Sequence, residues 1–181
     1  NINVAGNATI AGFRYFFPIL QGGTMSHSIT MGVDYKRLEK TEATFPGGLG
    51  TAVVLSPIQY TPVSLSYSAV RPDSFGTFDF SATAKGYWPV IPGGKKEDFV
   101  GDPNDPVEKP GQRAGSTGKF YVLQSSMNRN QPLPFGFHLA LHADGQWASE
   151  PLVPAEQYFA GGADSVRGYF PNESIGDHAV R

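Results

Sequence analysis

A chain of 181 residues, 40 % of them hydrophobic, is long enough for one domain with a core, and a net charge of −2 gives no electrostatic basis for binding nucleic acid or an anionic membrane surface. The absence of cysteine excludes a disulfide framework, a thiol nucleophile and a cysteine-based metal site. Abundant Gly (22) and Pro (15), 13 % aromatics and only 17 % charged residues are the balance of an all-β chain with many turns. No apolar run approaches the roughly eighteen residues of a transmembrane helix, but a spanning strand needs only about ten alternating residues. No signal peptide is read at the start, and Asn1 is expected to lie inside a longer protein.

Residues 9–19 alternate, with Thr9, Ala11, Phe13, Tyr15, Phe17 and Ile19 on one face and Ile10, Gly12, Arg14, Phe16 and Pro18 on the other. Residues 21–24 form a hairpin-type turn. The return strand, 25–36, sets Ile29, Met31, Val33 and Tyr35 against Ser28, Thr30, Gly32, Asp34 and Lys36. A polar connection over 38–50 contains Pro46-Gly47-Gly48. The next strand starts raggedly, because Pro57 and Pro62 cannot donate to a ladder, and is regular from 63 to 70, with Ser64, Ser66 and Ser68 on one face.

A turn at 71–74 leads into residues 75–88, where Phe78, Phe80, Ala82 and Ala84 oppose Thr77, Asp79, Ser81, Thr83 and Lys85. A second long connection, 89–115, is rich in Pro, Gly and charge. Residues 119–130 are strand-like with both faces apolar at one end, and 130–134 make the third short turn. In 135–148 Phe137, Leu139, Leu141 and Trp147 share a face opposite His138, Ala140, His142 and Asp144. A third long connection, 150–175, carries no evident secondary structure and leads to a last strand start at 176–181.

Short turns follow the first, third and fifth strands, and long connections follow the others. In an up-and-down meander this puts every short turn at one end, as in outer-membrane barrels. The strands exceed the usual globular length of about five or six residues. Tyr35, Trp88 and Trp147 fall near the long-loop end of the apolar face, as an interfacial aromatic girdle does. The expected fold is therefore all-β: an antiparallel up-and-down meander forming part of a transmembrane β-barrel. A soluble β-sandwich also alternates and stands as the competing class.

Long loops of this kind are usually functional. Within 150–175, Gly161-Gly162-Ala163-Asp164-Ser165-Val166-Arg167-Gly168-Tyr169 places one arginine between glycines and aromatics. Two arrangements suit these residues: a tight excursion presenting a single guanidinium, or an exposed loop whose Arg167 pairs with Asp164. Together with Gly145-Gln146-Trp147-Ala148-Ser149-Glu150-Pro151-Leu152, Glu156-Gln157-Tyr158-Phe159 and Gly176-Asp177, this stretch resembles the haemolysin secretion/activation family, the outer-membrane TpsB transporters of two-partner secretion. The resemblance is specific over 145–177 and looser upstream. It implies that the loop folds into the barrel lumen, that Val166, Arg167, Gly168 and Tyr169 are its motif, and that the arginine meets an acid on the inner wall.

The resemblance further implies translocation, with possible activation, of an unfolded partner exoprotein such as a haemolysin or adhesin. It implies a bacterial outer-membrane location, contact with outer-membrane lipids, a monomeric full-length protein, and no enzymatic activity. The lumen wall is expected to comprise Asp34, Asp79, Lys85, His138, His142 and Asp144, with Ser28, Thr30 and Thr83. Residues 1–181 are expected to be an incomplete barrel segment of about six strands and the start of a seventh, because POTRA domains, the remaining strands and the acid facing Arg167 are not found in them. An insertase of the same superfamily, or a soluble sandwich binding module, are the alternatives.

No cofactor or metal is expected. His138 and His142 lie four apart on a strand, hence about 13 Å apart, too far for one ion. Gly115-Ser116-Thr117-Gly118-Lys119 fails as a phosphate loop, since Arg113 and Phe120 stand where a glycine and a hydroxyl are required. Asp102, Asn104 and Asp105 are broken up by prolines and lack a completing glutamate for calcium. Asn7-Ala8-Thr9 and Asn172-Glu173-Ser174 are formal glycosylation sequons, irrelevant to a bacterial protein.

Overall fold

Period-two alternation becomes six long antiparallel strands in the computed structural model, which describes residues 3–19, 24–44, 51–89, 94–162 and 166–181. In chain order the elements are β1 (Asn3–Ala5), β2 (Ala8–Pro18), β3 (Ser26–Leu38), β4 (Thr41–Thr44), β5 (Thr51–Leu55), β6 (Ile58–Tyr60), β7 (Val63–Asp73) and β8 (Gly76–Tyr87). They continue with α1 (Lys96–Val100), β9 (Phe120–Pro132), β10 (His138–Ala148), β11 (Tyr158–Ala160), β12 (Ser174–Gly176) and β13 (Ala179–Val180). The main sheet runs β2-β3-β7-β8-β9-β10-β13, every pair antiparallel, and β6 pairs with the outer end of β3 beside β7. It is an open up-and-down sheet, consistent with a segment of a barrel.

The turns joining β7 to β8 and β9 to β10 lie at one end of the sheet. The first is closed by Asp73 Oδ1 accepting from the Phe75 amide at 2.8 Å. The turn expected at 21–24 lies, apart from Thr24, outside the described residues, as does Pro46-Gly47-Gly48.

The long connections are more structured than the sequence suggests. The first contains β4, β5 and β6, and β1, β4 and β5 form a small sheet beyond β3. Breaks at 56–57 and 61–62 coincide with Pro57 and Pro62, where no amide is available for a ladder. The second connection contains α1. The third is not free of secondary structure: β11 and β12 pair as a two-stranded ribbon, Tyr158 opposite Gly176 and Ala160 opposite Ser174. Gly176 therefore belongs to this ribbon, and the last strand is only Ala179–Val180.

Cross-strand register fixes the two faces. One continuous surface carries Met31, Leu65, Leu123, Met127, Leu141 and Trp147, each 48–57 % exposed. Among the described residues no second sheet covers it, unlike in a sandwich. Tyr35, Trp88, Tyr121 and Trp147 line its long-loop end, and Trp88 Nε1 donates to Tyr121 OH at 2.7 Å. The opposite face holds Thr30, Ser66, Thr83, Ser81, Gln124, Ser126 and Asp144. Ser66 and Thr83 are hydrogen-bonded at 2.9 Å, as are Ser81 and Ser126.

The buried core does not lie between layers. It sits on the polar face at its long-loop end, where Tyr87, Phe120, Val122 and Ala148 from the strands meet Ile58 and Tyr60 of β6, Phe99 of α1, and Leu152 and Val153. Tyr60 packs edge-on against Tyr87, Phe99 and Phe120, with ring centroids 5.6, 5.9 and 6.2 Å apart. The loops are thus bound to the sheet by the only large apolar cluster described.

If the apolar face meets lipid, a lysine at Met31, Phe80 or Leu139 should cost about 2–4 kcal/mol near mid-membrane. The same change at Thr30, Ser81 or Ala140 faces inward and should be far milder. Barrel assembly of the two sets in the full-length protein measures this, and equal behaviour would reverse the face assignment.

Candidate functional site

Strands β3 and β8 flank β7, and through Ser64 the β8 residue Lys85 is level with Gly32, four residues before Lys36 on the same inward face of β3. The two lysines nevertheless converge on Glu156 from the third connection. Lys36 Nζ lies 2.5 Å from Oε1 and Lys85 Nζ 2.9 Å from Oε2. The glutamate side chain is 1 % exposed, and Tyr60 OH donates to Oε1 at 2.8 Å. Lys36 Nζ also faces the Tyr60 ring, 5.9 Å from its centroid.

A carboxylate removed from water is tolerated only with such partners. Burial pushes the Glu156 carboxyl up, but Lys85 and Lys36 outweigh it and hold the group below the ordinary glutamate value. Burial, followed by the nearby Glu156 charge, raises the Tyr60 hydroxyl, so it remains a donor.

The segment holding Glu156 is a single 3-10 turn, Pro154–Glu156, opened by a proline at its first position. Gln146 Nε2 on β10 donates to the Glu156 carbonyl at 3.2 Å. Two residues on, Tyr158 OH donates to Asp144 on the same strand. Asp144 also accepts from Arg181 Nε at 2.8 Å and faces His142 Nε2 at 2.7 Å, while His142 Nδ1 faces Asn128. Between Tyr158 and the wall residues Ser81, Thr83, Gln124, Ser126 and Asp144 lies a polar cavity of about 260 Å³.

Asp177 closes the base of the ribbon. It accepts from Arg113 of the second connection at 2.5 Å, from the Leu152 amide at 3.1 Å and from Gln157 Nε2 at 3.2 Å. Burial raises the Asp177 carboxyl, but these donors, Arg113 first, bring it below its usual range.

The expected motif stands at the ribbon tip. Gly161, Gly162 and Gly168 have φ of 115°, 96° and 95°, a region that favours glycine. The Gly162 amide donates to the Tyr169 carbonyl at 3.1 Å, and the Phe170 amide to Glu173 Oε2 at 2.8 Å. Val166 is half-buried, and Arg167, Gly168 and Tyr169 are exposed. Among the described residues none pairs with Arg167. Asp164 and Ser165 lie outside the described residues, with Ala163, so the local Arg167–Asp164 pairing does too.

Of the expected wall residues, Lys85 and Asp144 contact the loop and His142 joins Asp144. Asp34 instead holds Arg14 in two 2.7 Å hydrogen bonds. Asp79 points inward between Val70 and Asn128, and His138, opposite Pro132, is exposed at the short-turn end. Sequence reasoning passed over Glu156, Lys36 and Tyr60. The available signal was two lysines on the inward faces of strands on either side of β7, which require an acid from elsewhere.

A family model, haemolysin secretion/activation protein ShlB/FhaC/HecB, matches residues 50–181. The chain belongs to this family. The match spans β5 to β13, including Lys85, Glu156 and the whole of the ribbon, while β3 with Lys36 precedes it. Comparison with curated proteins gave no match, and comparison with solved structures gave none either.

Glu156→Gln should loosen the loop, since removing one partner of a buried ion pair costs about 3–5 kcal/mol. Amide exchange or limited proteolysis across 150–160 in the full-length protein reads this. Because Glu156 and Asp177 both titrate below their ordinary values when folded, their stabilisation is complete above the unfolded carboxylate range near pH 4–4.5 and is lost as pH falls through the folded values. Loop protection should therefore fall on acidification, and less steeply in Glu156→Gln.

Proposed function

We propose that this chain is part of an outer-membrane transporter of two-partner secretion, conducting a partner exoprotein across the membrane through a β-barrel pore. Membership of the haemolysin secretion/activation family supports the transport role. The observation that carries the reading to this chain is the third connection, which lies against the polar face of the sheet through Glu156 and Tyr158 while the opposite apolar face is bare.

In this reading the bare face meets lipid, with Tyr35, Trp88, Tyr121 and Trp147 at the interface, and the polar face lines the pore. An unfolded chain passing such a wall meets hydroxyls and amides, from Ser66, Thr83, Ser81, Gln124, Ser126 and Asn128, which offer hydrogen bonds without large apolar surfaces to hold it. No covalent step is needed, and the chain acts as a transporter rather than an enzyme. The loop narrows the pore, and Gly161, Gly162, Val166, Arg167, Gly168 and Tyr169 present one guanidinium from its tip. Arginine suits an acid on the facing wall because its planar fork takes a carboxylate in two hydrogen bonds.

In the full-length transporter Arg167→Ala should leave the barrel inserted but sharply reduce secretion, and Arg167→Lys should retain part of it. Exoprotein in the medium and heat-modifiable migration of the barrel measure the two effects. Normal secretion by Arg167→Ala, with loss in Asp164→Ala, would mean that the loop works from outside.

A further inference from the structure

The inward cations near the long-loop end differ in where their acids come from. Arg14 of β2 meets Asp34 of β3, whereas Lys36 of β3 and Lys85 of β8 meet Glu156. Asp34 is fully engaged, since Arg14 holds both its oxygens at 2.7 Å. Gly12 and Gly32 make room for that pair: a Cβ at Gly32 would come 2.8 Å from Arg14 Cδ, and one at Gly12 would strike Asp34 Oδ1. Arg14 and Asp34 are therefore a built-in wall pair on two adjacent strands.

The two lysines differ. Both stand on strands, but their shared carboxylate comes from a connection and is the only described acid in direct contact with both ammonium groups. When the loop moves aside, Lys36 and Lys85 lose that partner together, while Asp34, directly paired with Arg14, touches neither of them. Two ammonium groups aimed at one point, with a tyrosine hydroxyl beside them, then form an open receptor for a single carboxylate. Lysine suits exchange, because its ammonium is a strongly hydrated point charge with rotatable donors, whereas an arginine fork would hold an acid in fixed geometry.

We propose that Lys36 and Lys85 form a carboxylate-binding site of the pore wall. Glu156 fills it when the loop is docked, and Asp or Glu side chains of the translocating exoprotein fill it when the loop is displaced. The loop acid is thus a built-in stand-in for the substrate's acids. This rests on the secretion reading above and names the substrate chemistry its pore recognises.

The test uses the full-length transporter and its exoprotein, with p-benzoylphenylalanine in place of Ser64, which faces inward directly opposite Lys85. Irradiation during secretion should give an adduct whose exoprotein peptide is rich in acidic residues. The adduct should be lost in Lys36→Gln/Lys85→Gln, in barrels whose heat-modifiable migration shows normal insertion. It should also be lost when the adducted exoprotein segment has its Asp and Glu changed to Asn and Gln. An undiminished adduct in either case overturns the proposal, as does continued secretion with no adduct at position 64. Absence of secretion by the unaltered transporter would instead overturn the reading on which the proposal rests. Glu156→Gln provides a second arm: it vacates the site and should increase the adduct, and a decrease in inserted barrels counts against it.

Discussion

The docking of the third connection depends on one carboxylate held between two ammonium groups. Glu156 is 1 % exposed, and no backbone ladder joins its segment to the main sheet, so without Lys36 and Lys85 its burial would be strongly unfavourable. With them, the loop is positioned from both sides of β7. Tyr158 on Asp144 and Asp177 on Arg113 then fix its direction and its base. The apolar cluster of Leu152, Val153, Tyr60, Tyr87, Phe99 and Phe120 supplies the area, and the ion pairs supply the register. Apolar contact alone has no direction and would let the loop settle in many positions.

The same constraint explains where the core lies. A sheet whose apolar face stays bare has to find its buried contacts on the other face, and the inward face is too polar in its middle to offer them. At the long-loop end it offers the buried aromatics Tyr87 and Phe120, and there the three connections converge. Phe99 of α1 fills the middle of this cluster at 0 % exposure, which accounts for a five-residue helix in an otherwise all-β chain. An isolated helix that short has no stability of its own, so packing of Phe99 holds it.

Alternation made the six strands and their faces legible, because a period of two survives whatever the strand packs against. The contrast of short turns and long connections made the order of the sheet legible as well. The loops were not, for a physical reason. Glu156 meets Lys36 across 120 residues and Lys85 across 71, and Arg113 meets Asp177 across 64. Such partners leave no local pattern. The β11–β12 ribbon escaped for another reason: its strands have three residues each, too short for periodicity to register. The motif at its tip was visible as residue types, while its attachment was not.

That attachment limits what the tip can reach. An unstructured connection would let Arg167 travel about 30 Å from Gly176. The ribbon removes most of that freedom, because Tyr158 is fixed on Asp144, Ala160 pairs with Ser174, and the Gly162 amide closes on Tyr169. Four residue steps separate Tyr158 from Gly162, so the tip starts no more than roughly 13 Å from the Tyr158 backbone. Arg167 lies two residues from Tyr169, so an acid on the wall that is to meet it must lie within about two further residue steps and one arginine side chain of the Gly162–Tyr169 closure. The stem thus converts a long, flexible reach into a short and directed one. A single guanidinium then needs a partner only within a small region of the wall, and the lysine–glutamate anchor decides which region it is.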